Sequence, residues 1–133
     1  MVSSFPYPPE FILWMRQVFS NPQPFILACI RAAKEYGYTG FNIDWEPAEG
    51  ATSLDAKNYA KFLDTLSRSL HKEGIKVSVD FATWSPIWNV PALAETSVDY
   101  MLDMGTYTGS DTSFTSQLQT VRSKDYYTLS ETN

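Results

Sequence analysis

Between Gly37 and Pro47 the polar Asn42, Asp44 and Glu46 alternate with the apolar Phe41, Ile43 and Trp45. A strand has a side-chain period of two, so strand geometry sends the three polar groups to one face and the three apolar groups to the other. Two carboxylates and an amide on an otherwise buriable strand are costly. Charges leave water only when they are paired, hydrogen-bonded or protonated. The pattern therefore marks an active-site strand, with a half-exposed strand whose polar face meets water as the alternative.

The elements around this strand follow from spacing and punctuation. The first ten residues hold three of the eight prolines, and residues 1–24 read as an irregular lead-in. Within it, Phe11, Met15, Val18 and Phe19 approximate one helical face, while Phe11 to Trp14 also suits a strand. Asn21 is a candidate N-cap with Pro22 or Pro24 in the first turn. Ile26, Cys29, Ile30 and Ala33 then recur at helical spacing until Gly37 stops the helix. The key strand covers 40–45. Ser53 or Asp55 caps the next helix, where Tyr59, Phe62, Leu63, Leu66 and Leu70 form a continuous apolar stripe. Lys57, Lys61, Asp64 and Arg68 lie outside that stripe, and His71 reads as a surface residue in the last turn.

A second strand over 75–83 sets Val77, Val79 and Phe81 against Ser78, Asp80 and Ala82. A loop with Trp84 and Trp88 follows, then a short helix or turn over 91–96 and a third strand over 98–104. A short helix over 114–121 and a fourth strand over 126–129 complete the reading. Such alternation predicts an α/β fold with about four parallel strands joined by helices, and functional residues at the carboxyl ends of the strands. Glu46, Thr83, Trp84 and Tyr107 fall at such ends.

Composition removes several classes. A net charge of -5 with no basic run argues against nucleic acid or an anionic membrane surface. No segment is apolar for long enough to insert in a bilayer, and the first residues lack the pattern of a signal peptide. One cysteine and one histidine leave no basis for a disulfide, a cysteine metal cage or a histidine triad. No glycine-rich phosphate cradle follows any strand. A sugar or other neutral ligand fits better, and eight Tyr and four Trp offer rings for stacking on it or for an ordinary core.

The stretch Gly40, Phe41, Asn42, Ile43, Asp44, Trp45, Glu46, Pro47 resembles the DxxDxDxE signature on the fourth strand of family 18 glycoside hydrolases, the chitinase and chitobiase group. The resemblance extends over roughly residues 25–110, through Val98, Asp99, Tyr100 and Met104. Thr39 and Asn42 stand where the signature has its first two Asp. Asp44 and Glu46 hold the last two places, and Asn at the middle position is similar to chitobiase-like members. The family's Met-x-Tyr-Asp pattern appears as Met104, Gly105, Thr106, Tyr107, Thr108, with one residue extra and no Asp.

The resemblance implies an incomplete (β/α)8 TIM barrel over residues 25–133 and hydrolysis of β-1,4-linked N-acetylglucosamine in chitin, chito-oligosaccharides or the chitobiose core of glycans. It implies Glu46 as general acid, Asp44 orienting the substrate's acetamido group and Tyr107 bonding its oxygen, with no cofactor or metal. The substrate's own N-acetyl group then replaces the second carboxylate of ordinary retaining glycosidases. Asn42, Asp80, Trp84, Trp88 and Met104 are the candidate substrate-binding residues. Asp80 is the alternative nucleophile, and Trp84 and Trp88 either stack on sugar rings or pack in the loop. The physical reading agrees for Asp44 and Glu46. Like charges two positions apart on one strand cannot both ionise easily, so one keeps a usable proton. Asn42 can hydrogen-bond Asp44 but takes up no proton, which predicts a changed pH profile. Trp45 points the other way and packs against a helix.

A full barrel of this type needs at least about 200 residues. These 133 residues are accordingly expected to hold the middle of one, from just before the fourth strand to about the seventh, with little activity alone. A non-catalytic carbohydrate-binding relative and a ligand-free α/β fragment are the other two readings. By resemblance the setting is extracellular or lysosomal.

Overall fold

A computed structural model describes residues 7–105. The elements are α1 (Phe11–Ser20), α2 (Gln23–Tyr36), β1 (Gly40–Ile43), α3 (Ser53–His71), β2 (Lys76–Phe81), α4 (Val90–Ala94) and β3 (Tyr100–Asp103). The three strands form one parallel sheet in the order β1-β2-β3. The helix and strand expected over 114–121 and 126–129, and Tyr107, lie outside the described residues. Among the described residues no helix is long and apolar enough to cross a membrane.

Register sorts the sheet's two faces. Asn42 pairs with Ser78, Ile43 with Val79, Asp80 with Leu102 and Phe81 with Asp103. Val77, Val79, Phe81 and Met101 are fully buried on one face, against which α3 packs through Tyr59, Leu63, Leu66 and Leu70. Asn42, Ser78 and Asp80 share the other, half-buried face. Gly40 permits this pairing, because a Cβ there would sit 3.0 Å from the Lys76 carbonyl oxygen. Cys29 is buried in α2 as a small apolar group, and its burial pushes the thiol pKa up to about 11.

Three expectations need correction. Residues 11–20 fall within the span read as lead-in and form a helix, the helical one of the two readings given for that stretch. Phe11, Ile12 and Met15 bury one side of it, and Arg16 donates from Nε and Nη2 to both Asp55 carboxylate oxygens at 2.8 and 2.9 Å. Asn21 is the C-cap of α1, and the N-cap of α2 is Pro22. Thr52 caps α3, with Asp55 closing a capping box from the third helical position, where its carboxylate also accepts from the Thr52 hydroxyl. The Arg16 guanidinium and these donors hold the Asp55 carboxyl well below the usual range. Arg16 also donates to the Gly50 carbonyl, tying α1 to the loop after β1.

His71 pairs with Asp99 at 2.9 Å on the surface, and the same Asp99 oxygen accepts from the Val77 amide at 2.8 Å. Asp64 on α3 accepts from the Ser97 amide and hydroxyl. These bonds set the chain before β3 against β2 and α3.

Where β1 ends, Trp45 takes over as the joint between strand and helices. Its indole is 6% exposed and stacks on Phe62 at 5.2 Å and on Tyr59 at 6.1 Å, with interplanar angles of 8° and 17°. Phe11 and Phe25 meet it edge-on at 6.2 and 5.5 Å. Trp45→Ala is expected to lower unfolding free energy by about 3–5 kcal/mol, read by urea denaturation. A loss under about 1 kcal/mol would mean that the cluster does not anchor β1.

Candidate active site

The regular ladder of β1 stops at Ile43, and the next residues carry the candidate chemistry. Trp45 is committed to the core, and the alternation leaves Asp44 and Glu46 on the side away from it. Both are partly buried. Burial pushes the Glu46 carboxyl above the usual range, and the Asp44 charge and hydrogen bond add to that; Asp80 contributes a smaller push in the same direction. One oxygen of Asp44, Oδ1, is buried without a hydrogen-bond partner.

Glu46 lines a cavity of about 320 Å³ with Tyr7, Glu49, Gly50, Trp84 and Trp88. The cavity lies at the carboxyl ends of β1 and β2, walled by the loops that follow them. Trp84 is half exposed and Trp88 buried, their rings edge to face at 5.6 Å. Trp88 packs in the core cluster with one face of its surroundings on the cavity, while Trp84 is the ring available at the mouth.

The sheet's polar face is wired differently from the expectation. Asn42 donates from Nδ2 to Asp80 Oδ1 at 2.9 Å and Ser78 Oγ at 3.1 Å, and not to Asp44. The reason is geometric. Register sets Ser78 directly across from Asn42 and Asp80 two residues further along the same face of β2, while the ladder of β1 stops at Ile43, before Asp44. Burial pushes the Asp80 carboxyl up, the Asn42 bond opposes this, and the Asp44 charge adds to it.

Glu46, Trp84 and Trp88 thus meet at one cavity, Asp44 stands beside Glu46, and Asn42 and Asp80 form a pair deeper along the sheet. Met104 is buried in the core cluster after β3 and does not line that cavity. Among the described residues no group of His, Cys, Asp and Glu has the arrangement to hold a metal ion.

Two residues of interest escape sequence reasoning. The Tyr7 hydroxyl lies 3.2 Å from the Asp44 carbonyl oxygen and 3.4 Å from Glu46 Oε1. A tyrosine in a proline-rich start, 39 residues from its partner, gives no periodic signal. Asp103 is 1% exposed on the helix-packed face opposite Phe81, where it accepts from the Gly105 amide at 2.7 Å and burial pushes its carboxyl up. The inward-outward alternation of β3 could have flagged it.

Because folded Glu46 holds its proton more tightly than an unfolded glutamate, its ionisation costs stability as pH rises from the ordinary glutamate range through the folded value. Asp44→Asn removes the like charge and is expected to lower the Glu46 pKa, leaving it above the ordinary range because burial remains. A carboxyl ¹³C titration checks this; an unchanged value would remove Asp44 as a perturbing charge.

No family model matches the chain, and neither does any curated protein. Its fold is similar to solved chitinases. A chitinase from Chromobacterium violaceum superposes with a TM-score of 0.56 at 24% identity, covering 65% of this chain and 29% of that one. Catalytic domain 2 of the Group II chitinase of Ostrinia furnacalis gives 0.57 at 20%, covering 68% and 27%. A mutant of that domain in complex with penta-N-acetylchitooctaose gives 0.57 at 19%, covering 67% and 27%. The chain spans less than a third of the length of these chitinases.

Proposed function

We propose that this chain carries the proton-donor strand of a glycosidase acting on β-1,4-linked N-acetylglucosamine, in chitin, chito-oligosaccharides or the chitobiose core of glycans. The observation that supports it best is Glu46 on the cavity wall with Asp44 beside it. One carboxyl is pushed toward its protonated form, and its neighbour has a buried oxygen with no partner. A proton donor and a free acceptor, side by side, suit a sugar bearing an N-acetyl group.

In this reading Glu46 gives its proton to the glycosidic oxygen as the bond from the anomeric carbon to that oxygen breaks. The substrate's acetamido oxygen attacks the anomeric carbon, forming a cyclic oxazolinium ion, while Asp44 accepts from the acetamido N–H. Water then opens the ring from the same side, giving a proton to the Glu46 carboxylate and restoring the acetamide. The configuration at the anomeric carbon is retained. These steps call on no metal or cofactor. Tyr107 is assigned the acetamido oxygen, and Trp84, at the cavity mouth, a sugar face. Asp80, already bonded to Asn42, serves as a polar interior group rather than a nucleophile.

Turnover by the 133-residue chain is expected to be slow, because it spans less than a third of the length of the chitinases whose fold it resembles. Release of 4-methylumbelliferone from its chitobioside is the assay. Glu46→Gln is expected to reduce the rate by at least about 10²-fold. Chitotriose binding with no turnover at any pH would favour the carbohydrate-binding relative, and neither binding nor turnover would overturn both readings.

A further inference from the structure

We infer that Tyr7 is a positioning residue for Glu46, holding the carboxyl through a hydroxyl that can partner both its protonated and its ionised form. The inference rests on the glycosidase reading for its purpose, but not for its geometry.

A phenol has one proton to donate and lone pairs to accept with. The Tyr7 oxygen has an acceptor on each side, the Asp44 carbonyl at 3.2 Å and Glu46 Oε1 at 3.4 Å. When Glu46 is ionised, the phenol proton turns to Oε1. When Glu46 carries its proton, the phenol proton turns to the Asp44 carbonyl and the phenol oxygen accepts from the carboxyl O–H. A general acid that later acts as base passes through both states in each turnover, and this arrangement keeps a partner on it throughout.

The phenol itself is fixed. Its ring lies 5.1 Å from Phe11, which meets Trp45 edge-on at 6.2 Å. Tyr7 is therefore seated on the same aromatic cluster that fixes the backbone between Asp44 and Glu46, and it lines the same cavity. The charged groups facing Glu46 are anionic, Asp44 just after β1 and Asp80 from β2, with Glu49 on the cavity wall; the neutral Tyr59 phenol of α3 faces Asp80 and Asp44. Burial and these charges favour the protonated carboxyl, and the Tyr7 bond acts in the opposite sense.

Tyr7→Phe keeps the ring on Phe11 and removes only the hydroxyl. A carboxyl ¹³C titration of Glu46 is expected to show its pKa rising by about 0.5–1 unit in the variant. Any alkaline limb of glycosidase activity should move up in parallel, since protonated Glu46 is the active form. A purely structural role would lower the thermal midpoint and leave that titration unmoved. An unchanged Glu46 titration in folded Tyr7→Phe overturns the inference. In the parent protein the Tyr7 ¹³Cζ resonance should shift as Glu46 titrates, since the phenol exchanges donor for acceptor; silence there also overturns it. Both readouts are independent of turnover, so a failed sugar assay leaves them interpretable.

Discussion

The stacking of Trp45 on Phe62 and Tyr59 is the interaction on which the candidate site depends. An indole buries upward of about 150 Å² and gains further from offset ring contacts, so turning it out to water would be expensive. Asp44 and Glu46 flank this one side chain. With the indole fixed inward against α3, the alternation of the backbone leaves both carboxyl groups on the opposite side. Core packing thereby holds two like charges close together, an arrangement that local electrostatics alone would resist.

The consequence is a polar face with a graded charge pattern. Asp80 is bonded to Asn42, Asp44 has one buried oxygen without a partner, and Glu46 opens onto the cavity. The amide at position 42 matters here. A carboxylate in that place would add a fourth negative charge to the group, whereas Asn42 supplies a donor that Asp80 accepts. The altered pH behaviour expected of this substitution therefore runs through Asp80 and its charge on Glu46, not through a bond to Asp44.

Local periodicity made much of the fold legible. The apolar stripe from Tyr59 to Leu70 marked α3, the alternation from Val77 to Phe81 marked β2, and the polar face from Asn42 to Glu46 pointed to the candidate site. Features that depend on distant partners were not legible. Helix α1 is secured by Arg16 on Asp55 and by Phe11 on Trp45, and Tyr7, just ahead of that helix, meets Glu46 from 39 residues away in the chain. Likewise, the choice of Asp80 over Asp44 by Asn42 is set by strand register, which a single sequence does not reveal. Asp55 was read as a candidate cap and proved to act from inside the helix, because Arg16 and Thr52 both converge on it.

The central claim is that Asp44 and Glu46 form a site for an N-acetylated sugar whose own amide takes part in the reaction. Calorimetric titration with the thiazoline analogue of N-acetylglucosamine, a stable mimic of the cyclised acetamide, tests it most directly. The account predicts binding that weakens at least about tenfold in Asp44→Asn, the worth of one charge-assisted hydrogen bond. Undetectable binding, or binding indifferent to that substitution, would contradict it.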